Sequence, residues 1–195
     1  MKKRVLLSVA KGFVLWLTGL PCSGKTTLAK ACQAELEAHG RGSVILDGDE
    51  LRKTLSRDLG FSRNDRLRHL DRVVSAAGCV VRQRRVAIVA MVSPYQIMRD
   101  KARDGLKPFI EVFLRCPLGV CEKRDVKGMY RLARAGKLAR FTGVSDVYET
   151  PAFPEIIVDT DRDDAGFCTK QILNFLKKDG FLGFPPQSGT RFPHS

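Results

Sequence analysis

The chain has 195 residues, 44% of them hydrophobic, with 34 Lys and Arg against 21 Asp and Glu and a formal net charge of +13. These totals suit one α/β domain over residues 1–195 with a substantial core; no break in composition separates two domains, and no uncharged stretch reaches membrane-span length. The positive excess leaves nucleic acid, a membrane surface or highly anionic small molecules as partners.

The start, Met1-Lys2-Lys3-Arg4 before Val5-Leu6-Leu7, is built like a secretory signal. Lys11 interrupts its apolar stretch, and a cut after Ala10 would fall at the edge of the next strand, so a soluble, cytoplasmic protein is expected. From Gly12 an apolar run reads as a buried strand and leads into Gly19-Leu20-Pro21-Cys22-Ser23-Gly24-Lys25-Thr26, a match to G-x-x-x-x-G-K-[ST]. Gly19 and Gly24 let successive N–H groups face inward, and the next helix adds its unpaired N-terminal donors. Lys25 supplies a point charge for the β- and γ-phosphates and Thr26 a hydroxyl for Mg²⁺, so ATP is the first expected ligand.

Leu28, Cys32 and Leu36 recur at helical spacing, giving a helix from Lys25 to His39 closed by Gly40. Ser43 to Leu46 is a short strand ending in Asp47-Gly48-Asp49. Acidic residues at the carboxyl end of a parallel strand suit a Mg²⁺ ligand or a base for a hydroxyl nucleophile, and the same three residues also make an ordinary turn. Ser62-Arg63-Asn64-Asp65 can cap a long helix to about Arg84 whose cations read as a solvated face. Val86 to Val92 is a strand covered on both faces. Ser93 follows at the strand's carboxyl end, where a serine can simply cap the next helix.

Phe109 to Leu114 makes another strand, and Pro117 opens a short helix through Cys121 to Asp125. Residues 126–151 are basic, glycine-bearing and weakly patterned, as a lid closing over substrate would be. Ile156 to Val158 is the last strand, Cys168, Ile172, Phe175 and Leu176 mark a final helix, and 180–195 reads as a loose tail after a core of about 12–179. The six cysteines lack zinc-ligand spacing and read as reduced, mostly buried thiols. Strands alternating with helices imply a parallel β-sheet with helices on both faces, the P-loop NTPase fold. Because the cations of Arg63–Arg85 and Lys123–Arg140 are interleaved with apolar residues and not massed in a tail, small anions are favoured as partners, with no nucleic acid and no membrane.

Several blocks together resemble the adenylyl-sulfate kinase family: WLTGLPCSGKTTLA, LDGDELR, DLGFSRNDR, VSPY, KGMYRLARAG with FTG, and YETPAFPEI, in that family's order from about Gly12 to about Thr160. The run KGMYRLARAG followed by FTG carries most of the specificity. The resemblance implies transfer of the ATP γ-phosphoryl group to the 3′-hydroxyl of adenylyl sulfate, giving 3′-phosphoadenylyl sulfate and ADP, and a homodimer. It implies ATP binding by Gly19, Leu20, Pro21, Cys22, Ser23, Gly24, Lys25, Thr26 and Thr27, and Mg²⁺ binding by Thr26, Asp47 and Asp49. Lys25, Asp49 and Ser93 fall at catalytic positions, with Ser93 able to carry phosphate in some members. Arg52 and Arg66 match arginines that grip the phosphosulfate, Phe61 and Phe141 match phenylalanines that sandwich its adenine, and Val92 and Lys127 match further substrate contacts. The chain departs from the pattern at His69, where the family has a substrate-binding asparagine, at Ala139, where it has a lysine, at Glu50, and in a short loop from Lys101 to Lys107. Those departures keep open a different small hydroxyl acceptor on the same fold. The third reading is a basic P-loop protein that binds nucleic acid.

Overall fold

In the computed structural model, which describes residues 11–182, five strands form one parallel sheet in the order β2-β3-β1-β4-β5. They are β1 (Phe13–Thr18), β2 (Ser43–Asp47), β3 (Val86–Ala90), β4 (Phe109–Arg115) and β5 (Ile156–Asp159). The signal-like start and positions 183–195 of the tail lie outside the described residues.

Every residue of β1 is buried, because the strand is central and helices cover both of its faces. Phe13, Leu15 and Leu17 point to one face and pack with Leu28, Cys32 and Leu36 of α1 (Lys25–Ala38) and Cys168, Ile172 and Leu176 of α7 (Ala165–Lys178). Val14 and Trp16 point to the other, against Leu70, Val73 and Ala77 of α3 (Arg63–Arg82) and Met98 and Ala102 of α4 (Gln96–Gly105). Full burial of one such Leu or Ile side chain contributes about 1.5–3 kcal/mol, so these two layers dominate the stabilising side of the balance. Three short helices, α2 (Gly48–Lys53), α5 (Leu118–Arg124) and α6 (Met129–Arg134), sit on connections. From β1 the chain passes beyond β3 to β2, whereas from β4 it runs the other way to β5, so a crevice opens at the carboxyl ends of β1 and β4.

The elements expected from hydrophobic spacing are present; α6 is an added helix inside the weakly patterned 126–151 segment, and four further details differ. Asp47-Gly48-Asp49 is not a free turn: Asp47 caps α2, its carboxylate accepting from the Asp49 and Glu50 amides at 2.9 and 3.4 Å. β3 ends at Ala90, two residues before Val92, because the chain leaves the sheet to reach Ser93 in the left-handed region (φ 39°). Ser93 does not cap α4; Tyr95 occupies the cap position and makes no side-chain cap bond. Residues 101–105, expected as loop, are the last turns of α4. The Ser62 cap of α3 is present, its Oγ accepting from the Asp65 amide at 3.1 Å.

Gly12 shows how closely β1 enters the core. A Cβ built there would lie 2.7 Å from the Arg85 carbonyl oxygen and closer still to that of Val81. Both are backbone atoms that cannot swing aside. Gly12→Ala should therefore destabilise the fold by about 1–3 kcal/mol, the range for overpacking, read from urea unfolding; a change within about 0.5 kcal/mol, as surface substitutions give, would contradict the packing.

Candidate active site

The loop between β1 and α1 is shaped by two glycines for different reasons. At Gly19 a Cβ would stand 2.7 Å from Ser23 Oγ and 2.8 Å from the Leu114 carbonyl oxygen, whereas Gly24 adopts a φ of 95° that favours glycine. Gly24 makes no side-chain cap, so the first amides of α1 keep their donors for a ligand. Lys25 curls into the loop: its Nζ donates to the carbonyls of Gly19 (3.0 Å) and Leu20 (2.7 Å), with Ser23 Oγ at 3.4 Å. Burial pushes its ammonium down from 10.5 to about 8, while the Asp49 charge and, more weakly, Asp47 pull it back up. A buried cation held only by neutral oxygens is arranged to exchange them for anionic ones.

The outer wall of the loop is tied by residues that spacing did not single out. Tyr130 Oη donates to the Pro21 carbonyl at 3.0 Å, and Thr160 Oγ1 to the Ser23 carbonyl at 2.9 Å. On the inner side Thr26 Oγ1 donates to Asp47 Oδ2 at 2.6 Å. Thr27 is exposed on the first turn of α1. Thr26, Asp47 and Asp49 form an all-oxygen donor set beside the anion loop, which suits a hard divalent cation such as Mg²⁺ completed by phosphate and water oxygens. Among the described residues no three His, Cys, Asp or Glu side chains converge closely enough to hold a metal alone.

Asp49 lies at the start of α2, and Lys127, 78 positions further along, reaches it with Nζ 2.7 Å from Oδ2. Burial pushes the Asp49 carboxyl up, but the Lys127 hydrogen bond and the Lys127, Lys25 and Arg52 charges outweigh it and hold the carboxyl below its usual value. The group is therefore an anion at neutral pH, able to accept a hydroxyl hydrogen. Arg52 stacks its guanidinium 4.5 Å over the exposed Phe61 ring and donates to the Gly60 carbonyl. Arg66 is buried, contrary to the solvated face expected for α3. Its Nε donates to the Phe61 carbonyl at 3.2 Å and its Nη2 to that of Arg140 at 2.7 Å, and Asp146 pairs with it at 3.5 Å. One guanidinium thus holds the backbone at both Phe61 and the residue preceding Phe141. Phe141 itself is half-buried, edge-on to Tyr130 at 4.9 Å.

Two further positions named from the family pattern are buried. Ser93 has no exposed surface; its Oγ accepts from Trp16 Nε1 (3.1 Å) and donates to Thr18 Oγ1 (3.1 Å), beneath the cleft and not in it. Neighbouring Val92 contributes its carbonyl to Thr18 Oγ1 at 2.8 Å. His69 is also buried, with Nδ1 2.9 Å from Ser56 Oγ and Nε2 enclosed without a partner. A cleft of about 550 Å³ lies between Leu20, Leu118, residues 143–148 and Thr150. Its walls include neither Lys25 nor Asp49, so it is not where the phosphate-directed groups converge.

The description "Adenylylsulphate kinase" belongs to the family profile that matches residues 11–159. The adenylyl-sulfate kinase of Synechococcus sp. is 41% identical over 172 residues, covering 88% of this chain and 98% of that protein. Among solved structures, the Mycobacterium tuberculosis APS kinase in complex with AMPPNP and APS superposes with a TM-score of 0.82 at 35% identity, over 86% of this chain and 98% of its own. A hexameric APS kinase from Thiobacillus denitrificans superposes at 0.67 with 30% identity, over 89% of this chain and 30% of its own.

His69 also makes the site sensitive to acid. Burial, and then the Arg52 charge, push its imidazole down from 6.5 to about 4. The folded state thus resists a proton that the unfolded chain accepts, so this group's stabilisation is complete above about pH 6.5 and lost as pH falls toward 4. Each tenfold difference in proton affinity between the folded and unfolded chain is worth about 1.4 kcal/mol. Between pH 7 and pH 4.5 the wild type should therefore lose about 2 kcal/mol more stability than His69→Asn. Parallel stability–pH curves in urea unfolding would contradict this.

Proposed function

The chain belongs to the adenylylsulphate kinase family, and from that premise we propose that its cleft transfers the γ-phosphoryl group of ATP to the 3′-hydroxyl of adenylyl sulfate, releasing ADP and 3′-phosphoadenylyl sulfate. The observation that carries the proposal is the Lys127–Asp49 contact, which brings a cation from the 126–151 lid to the carboxylate beside the anion loop.

In this reading the triphosphate lies in the Gly19–Thr27 loop, and Lys25 leaves the Gly19 and Leu20 carbonyls for phosphate oxygens. Mg²⁺, held by Thr26 and Asp47 with Asp49 nearby, would neutralise charge on the β- and γ-phosphates. Adenylyl sulfate lies on the opposite side, its adenine between Phe61 and Phe141 and its phosphosulfate facing Arg52 and Arg66. Stacking of this kind is worth about 1–3 kcal/mol per base, enough to orient the ribose. Arg66 would exchange the Arg140 carbonyl for the anion, a stronger charge-assisted partner than a neutral carbonyl. Asp49 orients the 3′-hydroxyl and accepts its hydrogen bond. The 3′-oxygen then forms its bond to γ-phosphorus as the bond to the bridging β,γ-oxygen breaks, and the electron pair leaves on ADP. The hydroxyl proton passes to Asp49 or, through it, to solvent. Lys127 follows the migrating charge, so catalysis rests on alignment and neutralisation.

The net charge of +13 then serves two polyanions in one cleft. Self-association is part of the proposal, supported by the hexameric Thiobacillus relative. So is a cytoplasmic location, supported by six free cysteines; no helix among the described residues is long and apolar enough to cross a membrane.

With Mg²⁺ and ATP, ADP release should depend on adenylyl sulfate and stay near background with a panel of other small hydroxyl compounds. Asp49→Ala should lower kcat by about 10²–10⁴-fold, the usual contribution of a positioned acid or base, without loss of fold. Equal turnover with an unrelated acceptor, or normal turnover in Asp49→Ala, would refute the assignment.

A further inference from the structure

Arg99 lies on α4, outside the set of groups assigned to either substrate, and only 1% of it is exposed. Its Nε sits 3.1 Å from Glu111 Oε1 on β4. The N–H does not point at that oxygen, which leaves both atoms without a directed hydrogen bond; the contact is one of charge. The directed bonds come from the other two nitrogens. Nη1 donates to the Ser93 carbonyl at 2.8 Å, and Nη2 donates to the Glu149 carbonyl and Gln96 Oε1, both at 2.6 Å. Glu111 is held in turn by Arg103, which also pairs with Glu155 beyond the lid.

These carbonyls belong to the two irregular segments that flank the cleft. Ser93 is in the left-handed region just after β3, and Glu149 lies at the end of the 126–151 lid as the chain returns to the sheet. Their amides meet as well: Glu149 N donates to the Pro94 carbonyl at 2.8 Å, and Gln96 N to Glu149 Oε2 at 2.5 Å. The neighbouring Tyr148 Oη is 3.0 Å from Thr18 Oγ1, at the root of the phosphate loop. A buried ion pair is weak ground for stability, since apolar pairs of similar volume commonly replace one without loss. What Arg99 supplies that an apolar residue would not is a planar fork aimed at two specific carbonyls.

We propose that Arg99, seated by Glu111, is a positioning residue for phosphoryl transfer: it clamps the end of the lid to the Ser93 turn, so that Lys127 and Phe141 close in a fixed register over the acceptor. The proposal rests on the reading of the reaction given above. It differs from a packing role in one respect: loss of the clamp disturbs alignment of the acceptor and leaves the triphosphate loop intact.

Two variants test it. Arg99→Lys keeps a cation beside Glu111 but cannot serve both carbonyls; Arg99→Leu combined with Glu111→Leu removes both charges and refills the space. In each, ADP affinity measured without acceptor should stay within about twofold of wild type, while kcat with adenylyl sulfate falls about ten- to a hundredfold, the scale of a sub-ångström to 1 Å misplacement, and its KM rises. Folded variants with wild-type kcat and KM would overturn the clamp, as would parallel losses of ADP affinity and turnover. Hydrogen exchange gives a readout that needs neither acceptor nor variant. The wild-type amides of Gln96 and Glu149 should exchange in the slow class of β3, and exchange at the rate of exposed lid amides would overturn the clamp even if neither variant folds. A wild type that never turns over adenylyl sulfate, yet shows slow exchange at those amides, would refute the reaction and leave the clamp standing.

Discussion

One buried hydroxyl holds the working parts of the cleft together. Thr18 is the last residue of β1, and its Oγ1 donates to the Val92 carbonyl while lying 3.0 Å from Tyr148 Oη and 3.1 Å from Ser93 Oγ. The glycine-bearing loop begins at the next residue, Ser93 opens the turn after β3, and Tyr148 lies near the end of the 126–151 segment. Trp16, two residues earlier, donates its indole N–H to the same Ser93 hydroxyl. In a parallel sheet the strands deliver loops to one edge but do not align them. Here that alignment comes from a short run of buried polar contacts, strong because water is absent and unforgiving because a missing partner would leave a buried polar atom unpaired.

Charge is arranged on the same principle. Lys25 is buried against neutral oxygens and Asp49 is paired with Lys127, so the cation of the loop and the carboxylate at the start of α2 are each held by a neighbouring group. The arginines divide into two kinds. Arg52 is part-exposed, stacking over Phe61 and donating to the Gly60 carbonyl, whereas Arg66 and Arg99 are buried and reach carbonyls of distant segments. A net charge of +13 alone would not separate exposed cations from enclosed ones.

The fold was legible because its signals were local. Continuous apolar runs marked buried strands, the 28, 32, 36 spacing marked α1, and Ser62 with Asp65 marked the start of α3. The loop from Gly19 to Thr26 was legible for the same reason: its chemistry is carried by consecutive residues. What escaped depends on contacts between distant segments. Asp47 as the cap of α2 was missed although acidic Asp49 and Glu50 and basic Arg52 and Lys53 complement that helix's dipole, because six residues show no periodicity. α6 was hidden in the same way inside a segment that read as weakly patterned. The burial of Arg66, His69 and Ser93, and the parts played by Thr18, Asp146, Tyr148 and Arg99, follow from partners roughly 6 to 130 positions away along the chain, and no window of sequence contains most of them.

The claim beneath all of this is that both nucleotides meet between the Lys25 loop and Asp49. A crystal structure with Mg²⁺, a non-hydrolysable ATP analogue and adenylyl sulfate is the decisive test. Lys25 Nζ should be released from the Gly19 and Leu20 carbonyls onto phosphate oxygens, with the ribose 3′-oxygen within hydrogen-bonding reach of Asp49 and about 3–3.5 Å from the terminal phosphorus. A complex in which Lys25 keeps its carbonyls, or in which the 3′-oxygen faces away from Asp49, would contradict it.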